Sequence, residues 1–130
     1  VGKYYSLFFK LLFMNASQLV SEYANGRRDF RDANLKGINL AGASIREINL
    51  EYVDLSGANL QGADLSDATL NGADFSSANM QDVNLANAQM LNASLVKADL
   101  RRANFKSAFM MSADLTDASV EDANLDEAFQ

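Results

Sequence analysis

From Phe30 to Leu125 every fifth residue is large and apolar, and this period rules out most folds at once. Phe30, Leu35, Leu40, Ile45 and Leu50 open the series; Met110, Leu115, Val120 and Leu125 close it. Two residues before each centre stands a small residue. It is alanine from Ala58 to Ala128 apart from Val83, with Ile38, Ile48 and Val53 in its place earlier in the chain. Directly before the centre comes a short polar residue, as at Asn34, Asn39, Asn49, Asp54, Asn59, Asp64, Asp74 and Asn79. An α-helix repeats every 3.6 residues and a strand every 2.0, so neither keeps such a stripe on one face. On a helix, an Ala/Leu pattern at spacing five wanders around the axis, which argues against a helical bundle.

A five-residue period needs a chain that turns a corner every five residues. Centre and alanine then point inward while the other three positions meet water. Four such sides close a square coil of 20 residues, and the narrow interior explains the alanine. Asn and Asp suit the corners because their side chains bond nearby backbone and tolerate turn conformations.

The unit Ala-(Asp/Asn)-Leu-x-x resembles the pentapeptide repeat family, with an unbroken register over residues 29–130. The resemblance implies an all-β solenoid, a right-handed quadrilateral parallel β-helix. Twenty centres at four per coil predict about five coils, a rod roughly 24 Å long at ~4.8 Å per coil.

Two segments are expected: an apolar arm with a capping α-helix over residues 1–28, and the repeat over 29–130. Asn15 or Ser17 suits an N-cap, and Gln18 stands where a capping box needs it. Leu19, Val20 and Tyr23 form the stripe expected to cover the first coil, and Gly26 suits the helix end. The opening Met14-Asn15, with Leu19, Tyr23 and Gly26-Arg27-Arg28-Asp29-Phe30, is similar to that of cyanobacterial members of the family. This suggests a start at Met14, with residues 1–13 as an upstream extension. The arm, Tyr4-Tyr5-Ser6-Leu7-Phe8-Phe9-Lys10-Leu11-Leu12-Phe13, is shorter than the roughly 20 apolar residues of a membrane span. It lacks the clear polar face of an interfacial anchor, and its broken apolar run and missing cleavage motif argue against a secretory signal. A membrane partner is therefore disfavoured and the default compartment is the cytoplasm. At the other end the repeat continues to the final residue, so the last coil is expected to be bare and to be covered by a partner, most simply a second copy.

The chain contains no Cys, His, Trp or Pro. Zinc sites built from Cys and His are disfavoured, and His-dependent triads and Cys–His dyads are impossible. A rod filled by its own side chains leaves no concave site. No catalytic residue, cofactor or metal is expected. Asp54 and Asp74 share an outward column, but solvated paired acids alone specify no reaction. The net charge of −6 argues against nucleic acid as partner, since that needs a basic footprint.

Residues 20 apart stack in successive coils, so outward positions can be sorted onto four sides. The acids are spread evenly over all four. The cluster Lys97, Arg101, Arg102 and Lys106 is expected to pair across coils: Arg101 with Glu121, Arg102 with Asp82 and Asp122, Lys97 with Asp117, Lys106 with Asp126. The side built on centres 30, 50, 70, 90 and 110, here called the fourth side, carries no charge after its first two coils. It does carry Leu91, Phe109, Met111 and Phe129 at outward positions, and contiguous apolar groups on an uncharged face mark a contact site. The expected function is a non-catalytic scaffold that binds a protein or a second copy. The family resemblance supplies one alternative, a DNA-mimicking modulator of DNA gyrase or topoisomerase, but even acidity on a short rod does not match it. A membrane-associated protein anchored by the arm is the other.

Overall fold

A computed structural model describes residues 14–130. The arm, and with it every expectation placed on residues 1–13, lies outside the described residues.

The chain opens with one helix, α1, Ala16–Ala24. Its start is fixed by a reciprocal capping box. The Asn15 side chain accepts from the Gln18 backbone N–H at 2.8 Å, and the Gln18 side chain accepts from the Asn15 N–H at 2.9 Å. Two of the four orphan donors of a helix start are thereby satisfied. The helix stops at Gly26, whose φ of +103° suits a residue without a Cβ. Leu19 is fully buried against the first coil, and Tyr23 packs beside it while its hydroxyl donates to the Arg46 carbonyl at 2.9 Å. Val20 does not join them. It is 45% exposed, because successive helical residues point about 100° apart and only one can face the coil.

After α1 the chain winds as a parallel β-solenoid. Its rungs are isolated bridges between residues 20 apart, from Asp29 with Asn49 to Phe109 with Phe129. Most five-residue sides form the same bonds. The centre donates to the next coil, as Leu60 does to the Asn79 carbonyl at 2.7 Å. The residue before it donates to the previous coil, as Asn59 does to the Ile38 carbonyl at 2.9 Å. The alanine three residues after a centre closes a turn, as Ala63 does onto the Leu60 carbonyl at 3.0 Å.

From Leu35 onward the corner residue, two after each centre, holds a φ near +60°, as in a type II turn. Five of these corners are glycine, but Glu47, Tyr52, Asp82 and Arg102 adopt the same conformation, at a cost of roughly 1 kcal/mol each for an L-residue. The conformation aims the corner N–H at the next coil, where Tyr52 donates to Asn71 at 3.0 Å and Arg102 to Glu121 at 2.9 Å. Asn and Asp before the centres complete the turn. Asn59, Asp64 and Asn79 each accept from the backbone N–H two residues on, at 3.0–3.2 Å. In one column these side chains also bond each other across coils, Asn84 to Asp64, Asn104 to Asn84 and Asn124 to Asn104.

The centres and alanines make one continuous core, with Phe30, Phe75 and Phe105 among its largest fully buried members. It thins at the C-terminal end: Val120 is 43% and Leu125 41% exposed.

Candidate functional site

On the fourth side the turn chemistry changes. Thr69, Gln89, Phe109 and Phe129 occupy the positions that hold Asn, Asp or Ser elsewhere. A phenyl ring cannot accept the backbone N–H two residues on, so Phe109 gives up a bond that nets about 1 kcal/mol in comparable turns. Phe109 and Phe129 instead stack on each other, centroids 4.9 Å apart and planes 7° from parallel, and both remain about half exposed. In the adjacent column Leu91 is 36% and Met111 54% exposed. The predicted stripe thus lies together on one side. Gln89, Leu91, Phe109 and Met111 enclose a shallow hollow of about 270 Å³ whose lining is mainly apolar.

One residue of this side escapes a search of motif-breaking positions. Tyr52 is the most exposed large hydrophobic side chain described, at 79%. It sits at a corner, in the left-handed region, with its ring laid over Gly72. A Cβ at Gly72 would fall 2.5 Å from two ring carbons, so glycine there serves both the turn and the ring. The available signal was an aromatic residue at a corner that otherwise takes Gly or a polar residue. Apart from Val20 of α1 and the inward-pointing centres Val120 and Leu125 of the last coil, the large exposed hydrophobics described are Tyr52, Leu91, Phe109, Met111 and Phe129, all on this one side.

The basic cluster is arranged differently from the expected cross-coil ladder. Arg102 does pair across coils, with Asp82 through two bonds of 2.8 and 3.0 Å. Arg101 turns to Asp99 in its own repeat at 2.6 and 2.8 Å rather than to Glu121, because a partner two residues away needs no reach between coils. Lys97 and Lys106 form no ion pair among the described residues. Near the helix a second hollow, lined by Arg27, Asp29, Arg31 and Asp32, has its cations already engaged. Arg27 bonds Glu22 and Asp32 and lies 4.3 Å over the Phe30 ring, while Arg31 bonds Asp29. The hydrogen bond from Arg31 holds the Asp29 carboxyl down at about 2. Arg102, Arg101 and Arg46 hold Asp82, Asp99 and Asp67 below the usual carboxylate range in the same way. Serine and threonine hydroxyls do so for Asp54 and Asp114.

Among the described residues no group of His, Cys, Asp or Glu is placed to hold a metal ion, and no helix is long and apolar enough to cross a membrane.

A 20-residue coil of four five-residue turns, with Leu and Ala inside, defines a class: the β-solenoid repeat scaffold. The chain belongs to the pentapeptide repeat family, whose model, Pentapeptide repeats, matches residues 29–67, 48–87, 58–95, 78–117 and 93–129. Among solved structures the chain is similar to HetL, a pentapeptide repeat protein involved in heterocyst differentiation regulation from the cyanobacterium Nostoc sp. strain PCC 7120. The identity is 30% over 77% of this chain and 50% of HetL, with a TM-score of 0.66. A pentapeptide repeat protein of the Arabidopsis thaliana thylakoid lumen is 24% identical over 72% of this chain and 66% of that one, with a TM-score of 0.70. QnrB1, a plasmid-mediated fluoroquinolone resistance protein, is 19% identical over 78% of this chain and 51% of its own, with a TM-score of 0.51. The last two likenesses show the fold alone. The chain thus spans half the length of HetL. A comparison with curated proteins found no match.

Proposed function

We propose that this chain is a non-catalytic scaffold that contacts protein through its fourth side, by way of Tyr52, Leu91, Phe109, Met111 and Phe129. One observation carries the reading: the large exposed hydrophobics of the solenoid wall fall on a single side of four, and that side is uncharged beyond its second coil. Scattered exposed apolar residues need no explanation, whereas contiguous ones around a hollow suit a contact. Phe109 and Phe129 stand where Asn or Asp most often finishes the turn, and their rings form no such bond to the coil. The other sides carry charge along their length, and no large outward-pointing hydrophobic described lies on them.

The test is a photo-crosslinking amino acid at position 111 and, for comparison, at position 54 on a neighbouring side, in the native cell. Protein adducts at 111 with few or none at 54 are expected. Equal adduct formation at both positions, or none at 111, would overturn the reading.

A further inference from the structure

We infer that Met111 is a site of reversible oxidation on the fourth side. Conversion of its thioether to the sulfoxide by a hydroperoxide breaks the protein contact there and leaves the coil intact. This rests on the contact-face reading above and adds the modification that regulates it.

The chain has no cysteine and five methionines, so five thioethers are all its sulfur. Four of them, Met14, Met80, Met90 and Met110, are buried in the core. Of the five, Met111 alone faces outward, 54% exposed. Met110 and Met111 are neighbours in sequence with opposite surroundings. One is a centre that fills the channel; the other stands at the turn and meets water. The column itself points outward: Leu91, twenty residues earlier and with a coil stacked on either side, is also exposed. The one accessible sulfur therefore lies in the lining of the hollow, beside Gln89, Leu91 and Phe109.

The chemistry follows from that placement. With hydrogen peroxide, a sulfur lone pair attacks one peroxide oxygen, the S–O bond forms and the O–O bond breaks. The proton on the transferred oxygen passes to the departing one, which leaves as water. Sulfur loses two electrons and the peroxide gains them. Two thiols of a sulfoxide-reducing enzyme reverse the step, giving the thioether, a disulfide and water. The sulfoxide replaces a flexible apolar group by a polar, chiral one. Water satisfies the new oxygen while the face is free. A partner that covers the hollow strips that water away, and of the lining side chains only the Gln89 amide carries a donor. Burying a polar group in an apolar contact weakens it by about tenfold or more. The core sulfurs are shielded by the coil, so the fold persists through the change.

Two measurements on the full chain test this. Peptide mapping by mass spectrometry after hydrogen peroxide treatment reads the site. One added oxygen is expected at Met111 while Met80, Met90 and Met110 remain thioethers, with thermal unfolding unchanged. Photo-crosslinking from position 91 in native-cell extract reads the contact. The adduct yield of the untreated chain should fall about tenfold after oxidation. Met111→Leu should keep its adducts through the same treatment. Met111→Gln, polar at the same position, should lose them without it. Oxygen appearing first at another methionine overturns the inference. So does an adduct yield unchanged by full conversion of Met111, or an equal fall in Met111→Leu; both leave the contact face standing. Absence of adducts from the untreated chain overturns the contact face as well.

Discussion

Each position of the repeat has one physical task, and the exceptions show where the task changes. At the centre, the side chain fills a channel too narrow for a second large group. Phe75 is fully buried, so Phe75→Ala should leave a cavity that costs about 3–5 kcal/mol, read as a lowered midpoint in urea. At the position before the centre, Asn and Asp accept a backbone N–H, whereas Phe109 and Phe129 cannot and stack on each other instead. The carboxylates bear on acid stability. Asp29 is held at about 2 against an ordinary value of 3.8, and Asp54, Asp67, Asp82, Asp99 and Asp114 are also lowered. A lowered native pKa stabilises the fold above the unfolded value, and that contribution is lost as pH falls through the native one. Thermal stability is therefore expected to hold down to about pH 4 and to fall between pH 4 and 2, with no histidine to add a step near neutrality. A melting curve series across that range checks it.

At the scale of the element, the solenoid was legible because its signal is redundant: a wrong register would have to fail at twenty centres together. The helix was legible in part. Asn15 and Gln18 mark the cap by chemistry alone, whereas the buried face of a nine-residue helix depends on how it lies on the coil, which no local pattern carries. Leu19 and Val20 are equally apolar, yet one is covered and the other is not. Leu19→Ala should thus cost about 2–5 kcal/mol by opening the first coil, and Val20→Ser should stay within about 0.5 kcal/mol. Equal losses in the two variants, measured by denaturant unfolding, would contradict the observed placement of α1. The stripe from Leu91 to Phe129 was legible because those residues break a strict motif on an uncharged side. Tyr52 was not, because its ring rests at Gly72 of the next coil, a contact that no local pattern carries. Arg101 shows the same limit: stacking by twenties places it near Glu121, but an acceptor two residues away in its own repeat wins.

The described residues form an asymmetric rod, covered by α1 at one end and acidic over residues 114–130 at the other, with its outward-pointing exposed apolar groups on one wall. In a solenoid each coil leans on its neighbours, so surface changes on one wall leave the core intact and can be read as changes in contact. Hydroxyl-radical footprinting reads all four walls at once. The native assembly should show Tyr52, Met111 and Phe129 oxidised several-fold more slowly than in a dilute monomeric sample, while exposed groups on the other three sides react at unchanged rates. Protection spread evenly over the four sides, or confined to Val120 and Leu125 at the end, would contradict a scaffold that works through its fourth side.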